Sequence, residues 1–279
     1  MMLNLFYITN SPEIAKIADD AGVNRIFVDM EYIGKEARQG GMDTVKNHHT
    51  IQDIRNIKQV LHQAHLLVRV NPIHERLDDY PDTEEEIDLV IGAGADIIML
   101  PMYRTVADVN RFIKAVDGRA KTMLLCETPE AVQNMQEIVK LKGIDEIHIG
   151  LNDLHLALHK KFMFELLADG TVDKITATIK DSGIPYGFGG IARIGYGVLP
   201  AERIIAEHYR LGSQMAILSR SFCNVENMTD LIGIKKLFNE EILKIRKAEE
   251  RFMQYTPELF SANHNEVIRL TNQIVQSIH

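Results

Sequence analysis

Eight short β-rich apolar runs, most of them separated by stretches of helical periodicity, constrain this 279-residue chain more than any other feature. The runs are Leu3 to Ile8, Arg25 to Met30, Leu66 to Val70, Asp96 to Leu100, Thr122 to Cys126, Glu146 to Ile149, Tyr186 to Gly189 and Met215 to Leu218. Helical spacing appears at Ile14, Ile17, Ala18 and Ala21, at Ile51, Ile54, Ile57, Val60 and Leu61, at Val106, Val109, Phe112, Ile113 and Val116, and at Ile204, Ile205, His208 and Leu211. Ser11-Pro12-Glu13, Thr105 with Asp108, and Thr128-Pro129-Glu130 mark helix starts, and Gly22, Gly118, Gly143, Gly183 and Gly212 mark ends. Repeated strand–helix punctuation over roughly 220 residues predicts an α/β protein of the (β/α)₈ TIM-barrel type. An open sheet usually stops earlier and leaves edges to cover.

From Asn227 onward the pattern is helical only, so residues 1–226 are read as the barrel. Residues 227–279 are read as an extension that belongs to the same unit or is exchanged with a partner subunit. The longest insertions, residues 33 to 50 and 155 to 174, follow the second and sixth runs, where a barrel's site-shaping loops lie.

A net charge of −8, spread without a basic stripe, points away from nucleic acid and anionic membranes and toward a small-molecule partner. The start, MMLNLFYITNSPE, lacks a signal peptide's basic and long apolar parts, and the most apolar stretch, Val90 to Met102, is broken by Asp96. A cytoplasmic protein is expected. Cys126 and Cys223 sit in apolar runs and read as reduced core residues.

Barrel chemistry collects where strands end. The second run finishes with Asp29 and Glu31, which share a face; the third supplies Arg69 and Asn71, the fifth leads into Glu127, and the sixth into Gly150-Leu151-Asn152-Asp153. Four carboxylates around one arginine would repel or take up protons, and a divalent cation neutralises them most simply. Oxygen donors without a cysteine or paired-histidine motif favour Mg²⁺ or Mn²⁺. Plainer readings stand beside these: Arg69 as an ion-pair partner of Glu31, Glu127 as a salt-bridge residue, and Asp153 as an N-cap.

Taken in order, FVDMEY (27 to 32), LLVRVNP (66 to 72), GADIIMLPM (94 to 102), LLCETPEAVQN (124 to 134) and IHIGLNDL (147 to 154) resemble the HpcH/HpaI aldolase and citrate lyase β-subunit family over roughly residues 3 to 222. The resemblance implies that Glu127 and Asp153 bind the metal. It also implies that Arg69 contacts the oxygen that becomes an enolate, and that backbone amides of Gly150, Leu151 and Asn152 up to Asp153 hold a carboxylate. Two departures stand out. Aldolases of this type place a histidine base directly after the strand-2 D-x-E, where this chain has Tyr32. The following insertion offers His48 and His49, with Arg38 and Gln39, and His49 is the candidate replacement; its plainer reading is a solvated helix-start residue. The link Asp117-Gly118-Arg119-Ala120 is also short, which resembles the citrate-lyase-like relatives more.

GFGGIAR adds Gly187, Gly189, Gly190 and Arg193, read either as an anion site or as close packing. His155 and His159 lack a third ligand and read as structural.

The expectation is therefore a metal-dependent carbon–carbon lyase acting on a 2-oxo acid such as pyruvate with an aldehyde. Its candidate catalytic residues are Arg69, His49 and Glu31, its metal ligands Glu127 and Asp153, and its substrate contacts Gly150, Leu151, Asn152, Arg69, Gly189, Gly190 and Arg193. The alternatives are an acyl-CoA lyase of the citrate or malyl type, with Lys35, Arg38 and Arg193 as its basic candidates, and a metal-binding barrel that has lost its chemistry. The apolar tail and the resemblance both point to a homo-oligomer, a trimer or hexamer.

Overall fold

Each apolar run becomes a strand: β1 (Asn4–Ile8), β2 (Arg25–Asp29), β3 (His65–Arg69), β4 (Ile97–Leu100), β5 (Lys121–Cys126), β6 (Glu146–Ile149), β7 (Tyr186–Ile191) and β8 (Met215–Leu218). All pair in parallel and in chain order, and β8 returns to β1 to close the barrel. The computed structural model describes residues 2–34, 49–219, 222–223 and 230–278. His48, Arg38, Gln39, Lys35 and the boundary at Asn227 lie outside them.

Side-chain alternation builds two layers. Phe6, Phe27, Leu67, Ile97, Met99, Met123, Leu125 and Met215 point inward and fill the barrel, while alternate residues such as Leu5, Val28, Val68 and Ile98 pack beneath the helices. The lower end of the interior is polar. Arg25 and Glu146 form a buried two-pronged ion pair there, with Nη2–Oε1 at 2.6 Å, and the guanidinium lies 4.7 Å over the Phe6 ring.

The helices are α1 (Pro12–Asp20), α2 (Ile51–Lys58), α3 (Thr83–Gly92), α4 (Val106–Val116), α5 (Pro129–Gln133), α6 (Met135–Ile138), α7 (Leu151–Ala157), α8 (Glu165–Ala168), α9 (Thr171–Ser182), α10 (Ala201–Leu211), α11 (Leu231–Phe252) and α12 (Pro257–Ser277). Caps fix several starts: Ser11 accepts from the Ile14 amide, Thr128 from that of Ala131, and Thr50 with Asp53 and Thr105 with Asp108 form capping boxes. Between the start marked at Thr128 and the end marked at Gly143 the chain forms two short helices that meet at Asn134.

The two C-terminal helices pack on the outer helices of the barrel. α11 packs on α1 and α10, with Phe238 edge-on to Tyr7 at 4.8 Å, while Arg246 donates to the Leu3 carbonyl and Glu249 accepts the Leu3 amide. α12 lies against α10 and α8, tied by Asn263, which donates to the Arg203 carbonyl and to Glu207. Among the described residues no helix is long and apolar enough to cross a membrane.

Two histidines are buried in neutral form. His148 donates Nε2–H to the Gly189 carbonyl at 3.1 Å, and burial pushes it down to about 4. His208 stacks on Phe188 at 3.8 Å, and burial pushes it down to about 3. Unfolded histidines take up protons near pH 6.5, whereas these stay neutral in the fold, so the unfolded state binds more protons as pH falls. Stability should therefore drop below about pH 6.5, by up to about 1.4 kcal/mol per pH unit for each histidine. Urea melts between pH 7 and 4.5 should be flatter for His208→Gln than for the native chain.

Candidate active site

The upper end of the barrel interior is where the charged strand ends meet. Asp29 and Arg69 are register partners on β2 and β3, so their side chains rise together. Arg69 grips Asp29 with Nε–Oδ1 and Nη2–Oδ2 both at 2.8 Å, and its Nη1 lies 3.2 Å from Oε2 of Glu31. The ion-pair reading thus has a different principal partner: Asp29 makes the bidentate contact and Glu31 flanks it. Burial works against the Arg69 charge, but Asp29, Glu31 and Glu127 hold its proton well above the usual range.

Glu127 follows β5 and is 2% exposed. Its Oε1 accepts the Met102 amide at 3.1 Å from a backbone held at φ +52°, an uncommon conformation for a non-glycine residue. Gly150 makes room for it: a Cβ there would lie 2.8 Å from Oε2 and 2.9 Å from the Cβ of Glu127. Thr128 anchors the turn, donating to the Tyr103 carbonyl at 2.8 Å while capping α5. Burial, then the negative charges of Asp153 and Glu31, push the Glu127 carboxyl well above the usual range, and Arg69 only partly offsets them.

Asp153 stands in the first turn of α7 and shares with Glu127, Met102, Arg104 and Leu156 a cleft of about 410 Å³. Among the described residues no three His, Cys, Asp or Glu side chains gather as a ready-made metal cage. Two carboxylates with open positions are nonetheless what Mg²⁺ commonly uses, since it keeps waters and substrate oxygens as its other ligands. The donor set and the only partly offset Glu127 fit such an ion.

Gly150 caps α7 without a side chain, so the first-turn amides of Leu151, Asn152 and Asp153 meet no side-chain cap. Leu151 is buried against Gly189, where a Cβ would come within 2.7 Å of its Cδ1. Gly187 lies so close to β8 that a Cβ would sit 2.2 Å from the Met215 carbonyl oxygen, and the β7–β8 register shifts between Gly187 and Gly190. These glycines have a packing role. Arg193 stacks 4.1 Å over Tyr196. His155 donates Nδ1–H to the Leu151 carbonyl, as a helix residue does.

Nδ1 of His49 accepts the Asp29 amide at 2.9 Å. A neutral His49 in this position carries its hydrogen on Nε2 and is a donor; serving as a base through Nε2 requires that bond to break. Tyr32 turns the other way. Asn71, which was read only as a strand-end residue, accepts the amides of Tyr32 and Ile33 at 3.0 and 2.9 Å, and the Tyr32 ring packs edge-on against Tyr80 at 4.9 Å. Met102 closes the GADIIMLPM stretch, but nothing there singled out its amide, and Tyr80 carries no motif that would have marked it.

The sign of the Glu127 effect is testable. A carboxyl whose proton is held more tightly in the fold favours folding below its unfolded value and loses that contribution as pH rises through the folded value. Without divalent cations, Glu127→Gln should therefore melt roughly 3 °C or more above the native chain at pH 8, with the gap closing toward pH 4.5.

Comparison with known proteins matches this arrangement to one family. The HpcH/HpaI aldolase/citrate lyase family model matches residues 2–184. No curated protein matches by sequence. An HpcH/HpaI aldolase from Desulfitobacterium hafniense superposes with a TM-score of 0.61 at 16% identity, covering 78% of this chain and 86% of its own. An HpcH/HpaI aldolase/citrate lyase family protein from Burkholderia cenocepacia gives 0.62 at 13% identity, covering 88% and 95%. The citrate synthase SbnG gives 0.60 at 15% identity, covering 84% and 93%. At such identities these structures share the barrel fold, and the matched model together with that fold places the chain in the HpcH/HpaI aldolase/citrate lyase family.

Proposed function

We propose that the protein is a divalent-metal-dependent carbon–carbon lyase acting on a 2-oxo acid by reversible aldol chemistry. The observation that carries this reading is the buried Glu127 beside Asp153, only partly offset by an Arg69 already clamped by two other carboxylates. A bound Mg²⁺ or Mn²⁺, held by Glu127 and Asp153, would supply Lewis-acid polarisation of the keto oxygen.

The chain's own groups do the rest. The substrate carboxylate suits the uncapped first-turn amides of α7. Arg69, fixed in orientation by Asp29, offers its remaining donors to the oxygen that gains negative charge, a preorganised contribution of about 3–4 kcal/mol in comparable sites. Glu31 keeps that guanidinium aimed from the other side. His49, with Nδ1 occupied by the Asp29 amide, acts in this reading as a hydrogen-bond donor to the leaving or attacking oxygen.

Calorimetry with Mn²⁺ should show one site in the native protein and little binding in Glu127→Gln or Asp153→Asn; unchanged affinity in both removes the metal assignment. Deuterium exchange of the pyruvate methyl group, with aldehydes and CoA thioesters assayed alongside, reads the chemistry. Arg69→Lys, which cannot reproduce the fork on Asp29, should lower exchange by about a hundredfold or more while metal affinity changes little. His49→Ala should lower aldol cleavage and leave exchange largely intact; an equal fall in both makes His49 a shaping residue.

Assembly as a homo-oligomer belongs to the same proposal. Light scattering at micromolar concentration should give a trimer or hexamer, and a monomer would count against it.

A further inference from the structure

The loop between β3 and α3 carries a buried histidine that the reading above does not use. Nδ1 of His74 lies 2.7 Å from the carbonyl oxygen of Pro72, and Nε2 lies 2.9 Å from that of Pro81. The ring thereby bridges the two arms of the loop. A carbonyl oxygen can only accept, so both contacts are hydrogen bonds only when both ring nitrogens carry hydrogen. A neutral ring would press a lone pair against one of the two oxygens.

A second observation points the same way. Glu86 of α3 is 1% exposed and accepts from Tyr80 Oη and Asn71 Nδ2, each at 2.9 Å, and His74 is the basic side chain that stands within 4.0 Å of it. A buried carboxylate needs a compensating charge as well as donors. Glu84 of α3 also acts on His74 through its charge, Arg111 of α4 donates to the His74 carbonyl at 3.3 Å, and Glu75 is engaged by Arg111 at 2.5 Å.

We infer that His74 is a buried imidazolium, paired with Glu86, that clasps the β3–α3 loop closed and thereby positions Tyr80 and Tyr32 at the barrel mouth. The link to the mouth runs through named contacts: Tyr80 is bonded to Glu86 and carries the Tyr32 ring, and Asn71 joins Glu86 to the amides that follow Glu31. His74 is a positioning residue, since its contacts are to the loop arms. Loss of one ring proton removes one arm's bond and Glu86's counter-charge together.

Nitrogen-15 NMR of the full chain labelled at histidine, with His74 assigned by its disappearance in His74→Gln, reads the state directly. At pH 7 both ring nitrogens should be protonated, and one should become bare in Glu86→Gln. A bare nitrogen in the native chain at pH 7, or no change in Glu86→Gln, would overturn the proposal. Trypsin cleavage after the exposed Arg76 reads the clasp. His74→Gln, whose amide can donate to only one of the two carbonyls, should be cut about tenfold faster or more at pH 7, and cutting at the native rate would also overturn it. Neither measurement involves turnover, so the outcome is independent of the aldolase reading; should His74→Gln fail to fold, the native and Glu86→Gln spectra still decide.

Discussion

The grip of Arg69 on Asp29 is the contact on which the barrel mouth depends. It consumes the positive charge that would otherwise have compensated Glu127. Asp29, Glu31 and Glu127 act on one guanidinium whose fork is already committed to the β2 side, and Asp153 adds its charge beside Glu127. The negative excess falls on the β5–β6 side. A buried carboxylate left in that condition either keeps a proton or takes a cation. The apolar strand that delivers Glu127 is what makes the carboxylate costly, and hence useful.

Close approach is the second requirement, and glycine meets it. Gly150 lets the Glu127 carboxylate lie against the turn before α7, and Gly189, at φ +51°, lets Leu151 seat the same turn against β7. An alanine at position 150 would meet both the Cβ and an oxygen of Glu127 within 3 Å, so the carboxylate would have to move. The amides of α7 and the Glu127–Asp153 pair are therefore set by one backbone path. The glycines of the β7 run support the site by packing, while the arginine that follows them stacks on Tyr196.

The local parts of this architecture were legible in the sequence, because strand alternation, Thr-Pro helix starts and glycine ends each act within a few residues. The chain's carboxylates could be placed at strand ends for the same reason. Which carboxylate holds Arg69 was not legible: Asp29 and Glu31 share a face, and the choice follows from the β2–β3 register that opposes Asp29 to Arg69. α3 was missed because its first turn is three consecutive glutamates, one of which, Glu86, is buried for reasons visible only once Asn71 and Tyr80 are in place. His49 was legible as a helix-start residue, yet its bond to the Asp29 amide depends on a strand twenty residues earlier.

Those long-range contacts also explain how the mouth is organised with tyrosine at the position where relatives of this type place a histidine. Tyr32 and His49 are both joined to the β2 end, but in opposite senses. Asn71 and Tyr80 draw Tyr32 outward onto the β3–α3 loop, while His49 bonds the β2 backbone through Nδ1. The imidazole is thus fixed by a main-chain donor, which selects the Nε2–H tautomer, whereas a carboxylate partner at Nδ1 would select the opposite one. A histidine bound in that way supplies a hydrogen bond more readily than it removes a proton. Chemistry at this mouth that requires a base must therefore draw it from a group other than the neutral His49 in its present bond, such as a solvent molecule or the substrate itself.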